Sequence, residues 1–413
     1  MSERLEHRRN RFLVRRSDEK GVPRPDLRYE GVQHLRRMKM VTREERPAPA
    51  GAPAPTVFAG VSWGQIGPQP LRIDHEQNFQ GSGPDSGEVT DIAIDPTGAS
   101  DLTIFIATNN GGIWKTVDGG ANWNPQCDFM PSLSMGAVAM DPVDHQIVYA
   151  GTGNDFDGGA QQINGAGLYR SVDAGETWTQ LAASIFAGQH IVRIVLPTSD
   201  VVVLGTNTGV YRSVDAGQTF GANAPNFNDG NPVLAGDVTD LALDKGSSSI
   251  IYACINQTGI FVSTDGGITF PTNLFSNPGA PGAPFDQITF SQSRHPDTNT
   301  MYALVADLAA NPSFKGLFKS TDKGLNWTLM PGAAPRAAEN NGLQAGYDLT
   351  VGVDPEDPNR VYIGFQELYL STDGGLNFGT PAVTANQVHF DHHAITFSPH
   401  GTGAPPTPLY VGT

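Results

Sequence analysis

An all-β fold is predicted for this 413-residue chain by three features of its sequence. Gly (48) and Pro (31) are abundant while long apolar helical faces are missing, a composition that suits short strands joined by tight turns. A hairpin signature, Ser/Thr-x-Asp-x-Gly closed by Trp or Phe, recurs six times. Seven apolar segments of buried-strand character alternate with those hairpins. The hairpins open at residues 116, 171, 213, 263, 320 and 371, so the repeat runs from 42 to 57 residues. That is the period of four-stranded blades, and the architecture it implies is a β-propeller, most simply seven-bladed.

In chain order, residues 1–45 read as a basic arm, with 14 Lys+Arg against 8 Asp+Glu over residues 1–47, and as a solvated tail in the first instance. RPAPAGAPAP (Arg46–Pro55) disfavours helix and strand alike and reads as a semi-rigid linker, so the propeller is expected over residues 56–413. The hairpins follow: KTVDGGANW (Lys115–Trp123), RSVDAGETW (Arg170–Trp178), RSVDAGQTF (Arg212–Phe220), VSTDGGITF (Val262–Phe270), KSTDKGLNW (Lys319–Trp327) and LSTDGGLNF (Leu370–Phe378). In each, the hydroxyl and the carboxylate two residues later cap free backbone N–H groups, the Gly two further on takes a positive φ, and the aromatic buries itself on a neighbouring blade. Asp118, Asp173, Asp215, Asp265, Asp322 and Asp373 are therefore expected to form turns rather than an acidic site.

The inner strands are expected in VTDIAIDP (Val89–Pro96), GAVAMDP (Gly136–Pro142), IVRIVLP (Ile191–Pro197), VTDLALD (Val238–Asp244), QITFSQS (Gln287–Ser293), LTVGVDP (Leu349–Pro355) and HAITFSP (His393–Pro399). Seven inner strands stand against six hairpins. The last blade is thus expected either to be incomplete at the C-terminus, which reads LYVGT, or to be closed by an N-terminal strand such as Thr56–Trp63.

Composition narrows the function classes. The chain after residue 47 holds 12 Lys+Arg against 34 Asp+Glu, so nucleic-acid binding by the propeller is not expected, while the basic arm suits an anionic surface or partner. The most apolar stretch, around Ile191–Leu204, is broken by Arg193, Pro197 and Asp200, and no membrane span is expected. No apolar segment of signal-peptide type follows the charged start. Two cysteines, Cys127 and Cys254, make neither a disulfide framework nor a cysteine metal cluster, and a buried thiol is expected at Cys254. No metal and no cofactor is called for.

The six hairpins resemble the BNR or Asp-box repeat superfamily, from about Trp63 onward. That superfamily embraces sialidases, xyloglucan hydrolases, sortilin-type receptors and photosystem II assembly factors, so the resemblance implies a propeller without a single activity. WGQIGP (Trp63–Pro68), GTGNDFDGGAQQINGAGLYRS (Gly151–Ser171), GYDLTVGVDP (Gly346–Pro355) and VHFDHHAI (Val388–Ile395) are most similar to bacterial glycosyl-hydrolase-like members. This implies a glycan or polysaccharide ligand, bound or hydrolysed, and a secreted or cell-surface location; the non-catalytic members imply a protein-interaction or assembly scaffold instead. Xyloglucan hydrolases carry a catalytic Asp in a T-D-x-G-G segment, where ATNNGG (Ala107–Gly112) places Asn109, and an amide is no general base. Their second propeller has no counterpart in this sequence. Sialidases need an arginine triad, of which LRID (Leu71–Asp74) is a faint echo, so sialic-acid cleavage is not expected.

Propeller geometry puts the loops that open inner strands on the face opposite the Asp-box hairpins, where they converge over the channel. That mouth is expected to carry His190, Asp286, Tyr347, Asp348, His389, Asp391, His392 and His393, with Asp155 and Asp157 in the long Thr152–Gly165 loop. Three of ten histidines fall within residues 389–393. His389, Asp391 and His393 share one face of an extended strand, but the two imidazoles then lie roughly 13 Å apart. Metal ligation needs a bend there, and hydrogen bonding to a polar ligand or a structural network are the other readings. Asp348 and Asp391 come from adjacent blades and suit the acid and base of glycoside hydrolysis if they face each other; capping of strand starts is the alternative. Tyr347 offers a stacking face, and D-x-D-G at Asp155–Gly158 reads as a polar loop.

Overall fold

The computed structural model describes residues 57–58, 61–62 and 88–413, apart from 99, 129, 155–164, 224, 226, 308–313, 340–347, 381, 383–390 and 401–403. The arm, the linker, Tyr347, His389, Asp155 and Asp157 lie outside the described residues. No helix among the described residues is long and apolar enough to cross a membrane. The two cysteines are free and buried.

Seven antiparallel sheets follow one another along the chain as blades 1 to 7. Their inner strands are Val89–Ile94, Met135–Met140, Ile191–Thr198, Val238–Asp244, Ile288–Gln292, Thr350–Asp354 and Ala394–Phe397, the seven segments expected from sequence. Blades 1 to 5 have four strands in sequential order, blade 6 has three and blade 7 has two among the described residues. Each is a meander, because a short turn joins neighbouring antiparallel strands without a crossover.

The Asp boxes are turns of one design. The Ser/Thr hydroxyl donates to the Asp Oδ1 at 2.7–2.8 Å and accepts the N–H of the Gly at 2.8–2.9 Å. The same carboxylate accepts the backbone N–H four residues on, at 2.8–3.0 Å. Two successive residues take positive φ, for example Ala216 (57°) and Gly217 (87°), which reverses the chain. Ser263 has no solvent exposure and satisfies Asp265 N and Gly267 N together. Ser263→Ala is expected to cost about 1–3 kcal/mol, read as a lower urea midpoint at unchanged slope.

Hydrogen bonds from Asn122 and Asn377 side chains hold Asp118 and Asp373 down to about 2. A carboxylate whose folded pKa lies below its unfolded value stabilises the fold above that unfolded value, near 3.8, and loses the contribution as pH falls toward 2. A lower melting temperature at about pH 2 than at about pH 4 is therefore expected by circular dichroism, and equal melting at the two would contradict it.

Seven hydrophobic clusters fill the seven interfaces between neighbouring blades. The Asp-box aromatics pack toward the preceding blade: Trp178 donates to the Gln126 carbonyl of blade 1 at 3.0 Å, Trp327 to the Leu274 carbonyl following blade 4 at 3.2 Å, and Trp123 borders the cluster shared by blades 1 and 7. Polar clamps tie the inner strands. Thr90 and Thr239 donate to the Met135 and Ile288 carbonyls at 2.8 Å, while Asp91 and Asp240 accept Val138 N and Phe290 N at 3.0 Å. One V-T-D motif thus does the same work in blades 1 and 4.

The ring closes between blades 7 and 1. Val89 N donates to Thr413 O at 3.1 Å and Thr396 Oγ1 to Ile92 O at 3.5 Å. The N-terminal strands Val57–Phe58 and Val61–Ser62 pair with each other as a separate sheet, and among the described residues neither joins Leu409–Gly412. Of the two expectations for the last blade, the described residues show the incomplete sheet: blade 7 has two described strands, and packing of the inner strands joins it to blade 1.

Candidate mouth site

Hydrogen bonds define the two faces. On one, the Asp boxes dock on the turns between first and second strands, as in Gly119 N to Leu102 O, Ala216 N to Asp200 O and Gly374 N to Asn359 O. On the other, residues that open inner strands meet the turns between second and third strands: Asn109 N to Glu88 O, Asn207 N to His190 O, Asp391 N to Gln366 O and His392 N to Phe365 O. His190, Asp286, Asp348 and Asp391–His393 all stand on this second face.

Blades 6, 7 and 1 bring ionisable groups together there. Burial, then the negative charge of Asp391, pushes the Asp348 carboxyl up to about 8. Among the described residues the Asp348 oxygens have no partner besides the Asp391 carboxyl, which shares a hydrogen bond with Asp348 when one of the two is protonated, and the Asp348 side chain has no solvent exposure. Asp391 is partly buried and sits at φ 74°, a left-handed backbone conformation.

Glu88 belongs to the same cluster. Its Oε1 lies 3.8 Å from His393 Nδ1 and its Oε2 accepts Asn109 Nδ2 at 3.1 Å. Burial raises it to about 7 against the opposing hydrogen bonds of Asn109 and Asn154, with Asp391 adding a further upward push. Asn109 is itself oriented, since Ser134 Oγ donates to its Oδ1 at 3.3 Å. The sequence reading passed over Glu88, although a signal existed: G-E-V-T-D in blade 1 matches G-D-V-T-D in blade 4. Asn256 Nδ2 donates to Asp237 Oδ2 at 3.1 Å just as Asn109 does to Glu88.

The other expected residues are dispersed. His392 is 1% exposed, its ring packed beside the Phe365 carbonyl at 3.3 Å. His190, also 1% exposed, lies in blade 3, where its N–H donates to Asn207 Oδ1 at 3.0 Å. Asp286 accepts Gln257 Nε2 at 2.9 Å in blade 5. Burial removes both histidine rings from direct ligand contact, so the dense H-F-D-H-H segment presents Asp391 and His393 to the cluster and tucks His392 beneath it. Among the described residues no three His, Cys, Asp or Glu side chains form a group able to hold a metal ion.

No protein-family model matches the chain. A xyloglucanase of Paenibacillus sp is 26% identical over 283 residues, which cover 62% of this chain and 23% of that protein. Xyloglucanase Xgh74A of Acetivibrio thermocellus is 25% identical over 268 residues, covering 59% and 26%. The chain thus spans about a quarter of the length of these relatives. In three dimensions it is similar to the GH74 xyloglucanase from Xanthomonas campestris (TM-score 0.54, 20% identity, 79% of this chain and 51% of that one). It is similar also to the GH74 enzyme of Niastella koreensis (0.50, 23%, 71% and 45%) and to YCF48 bound to D1 peptide (0.52, 15%, 83% and 96%). These structures share the propeller fold with the chain.

Proposed function

We propose that the chain binds or hydrolyses a glycan at the mouth opposite its Asp-box hairpins. One observation carries the reading: carboxyls from three consecutive blades, Asp348, Asp391 and Glu88, converge at the rim with two of them pushed up to about 8 and about 7. Glycoside cleavage needs such a split, one carboxyl still holding its proton near neutral pH to protonate the leaving oxygen while an ionised neighbour activates water. Asp391 serves as the ionised member in this reading, its negative charge adding to the burial that is the main cause of the two raised carboxyls. His393 orients sugar hydroxyls from beside Glu88. The partial likeness to xyloglucanases supports a β-glucan as the first substrate class to try.

A non-catalytic scaffold using the same face is the second reading. It is favoured by the likeness to the peptide-bound YCF48 propeller, 96% of whose chain is covered. Calorimetric titration and reducing-end release with a panel of soluble β-glucans, xyloglucan included, separate the two. The glycan reading expects binding or sugar release that Asp391→Asn weakens or abolishes; heat and sugar release absent from every glycan would leave the scaffold reading.

A further inference from the structure

We infer that Glu88 is the catalytic acid of the mouth, that Asp391 is its basic partner, and that Asp348 is a positioning residue behind Asp391. The inference rests on the glycan reading and names the side chains that touch the substrate. Three observations support it.

The first is reach. A proton donor must come within hydrogen-bonding distance of the oxygen it protonates. Asp348 is 0% exposed with both oxygens enclosed, so no sugar can touch it, whereas the Glu88 side chain keeps 15% of its surface and Asp391 is partly open. The second is orientation. Asn109 Nδ2 donates to Glu88 Oε2 and is braced by Ser134, which fixes the orientation of the carboxyl with Oε1 toward His393. The third is placement. Glu88 and Asp391 open the inner strands of blades 1 and 7, on either side of the closing seam, so a chain lying across that seam meets both.

The step balances as follows. The glycosidic C–O bond breaks and the Glu88 proton passes to the departing oxygen. A water oxygen bonds to the anomeric carbon and its proton passes to Asp391. Exchange with solvent then returns a proton to Glu88 and removes one from Asp391. The groups that face Glu88 among the described residues are Asn109, Asn154, Asp391 and His393. Asp391, ionised, favours the proton on Glu88, and His393, when protonated, opposes it.

The experiment compares the full-length chain with Glu88→Gln and Asp348→Asn on xyloglucan and on 2,4-dinitrophenyl β-cellobioside, whose leaving group departs without protonation. Glu88→Gln is expected to lower kcat on xyloglucan by about 10²–10⁴-fold with little change in KM, to lose far less on the aryl glycoside, and to abolish the fall of kcat above about pH 7. Asp348→Asn is expected to affect both substrates alike. Carbodiimide labelling with peptide mapping reads reach without turnover: Glu88 and Asp391 label, Asp348 does not. Wild-type rates in Glu88→Gln, a deficit equal on both substrates, or labelling of Asp348 in place of Glu88 overturns the assignment. Wild-type protein inert on every glycan and aryl glycoside overturns the glycan reading beneath it.

Discussion

Asp391→Asn is expected to lower glycan turnover by about 10²–10⁴-fold while leaving the ring folded. Asn matches the carboxylate in size and is among the side chains that best tolerate the left-handed conformation of residue 391, φ 74°. What it loses is the negative charge and the ability to take a proton. Two further consequences separate chemistry from damage. Without that charge Asp348, and to a smaller extent Glu88, shift downward while burial still holds both raised, so the alkaline limb of any residual activity moves to lower pH.

Stability moves as well, and its sign is set by linkage. Asp348 and Glu88 have folded pKa values above their unfolded ones, 3.8 and 4.5, so the folded state binds more protons between those values and about 8 and about 7. The wild type therefore loses stability as pH rises through that window. Asp391→Asn is expected to melt higher than the wild type at about pH 8 and to match it near pH 4. Equal melting at both values, or turnover at the wild-type rate, would remove Asp391 from the site.

The largest expected loss of stability comes from Trp327→Ala, about 3–5 kcal/mol. Trp327 closes the Asp box of blade 5 and is almost fully buried against the preceding blade. Its ring meets Phe275 edge-on at 5.6 Å and its indole N–H donates to the Leu274 carbonyl. Its backbone N–H donates to Pro278 O at 2.9 Å. Truncation empties the blade 4/5 interface and leaves the Leu274 carbonyl without its donor, two costs that add. Trp327→Phe keeps most of the packing and forfeits only the hydrogen bond, so it is expected to cost about 1–2 kcal/mol. Urea unfolding checks both variants. A Trp327→Ala midpoint equal to the wild type would mean that the blades are not held by these aromatics.

The fold was legible because each blade is specified locally. Ser171, Asp173 and Gly175 form their turn from hydrogen bonds spanning four residues, and Trp178 then has only the neighbouring blade to pack on. Six copies of that local rule, with seven apolar inner strands among them, compel a ring. Counting hairpins left the last blade either incomplete or closed by an N-terminal strand, and among the described residues it has two strands, joined to blade 1 through an apolar cluster that Trp123 and Tyr410 both border.

By itself, then, the sequence determined the all-β repeat, the turn-forming role of the six Asp-box carboxylates, and the face on which Asp348 and Asp391 stand, since each follows from short-range hydrogen bonding and strand order. Only the tertiary structure decided which carboxyls are reachable. Glu88 and Asp391 are separated by some three hundred residues yet meet across the seam where the ring closes. Asp348, beside Asp391 in the cluster, is sealed from solvent. Burial and long-range electrostatics depend on what the whole ring packs around a side chain, and no local pattern encodes that.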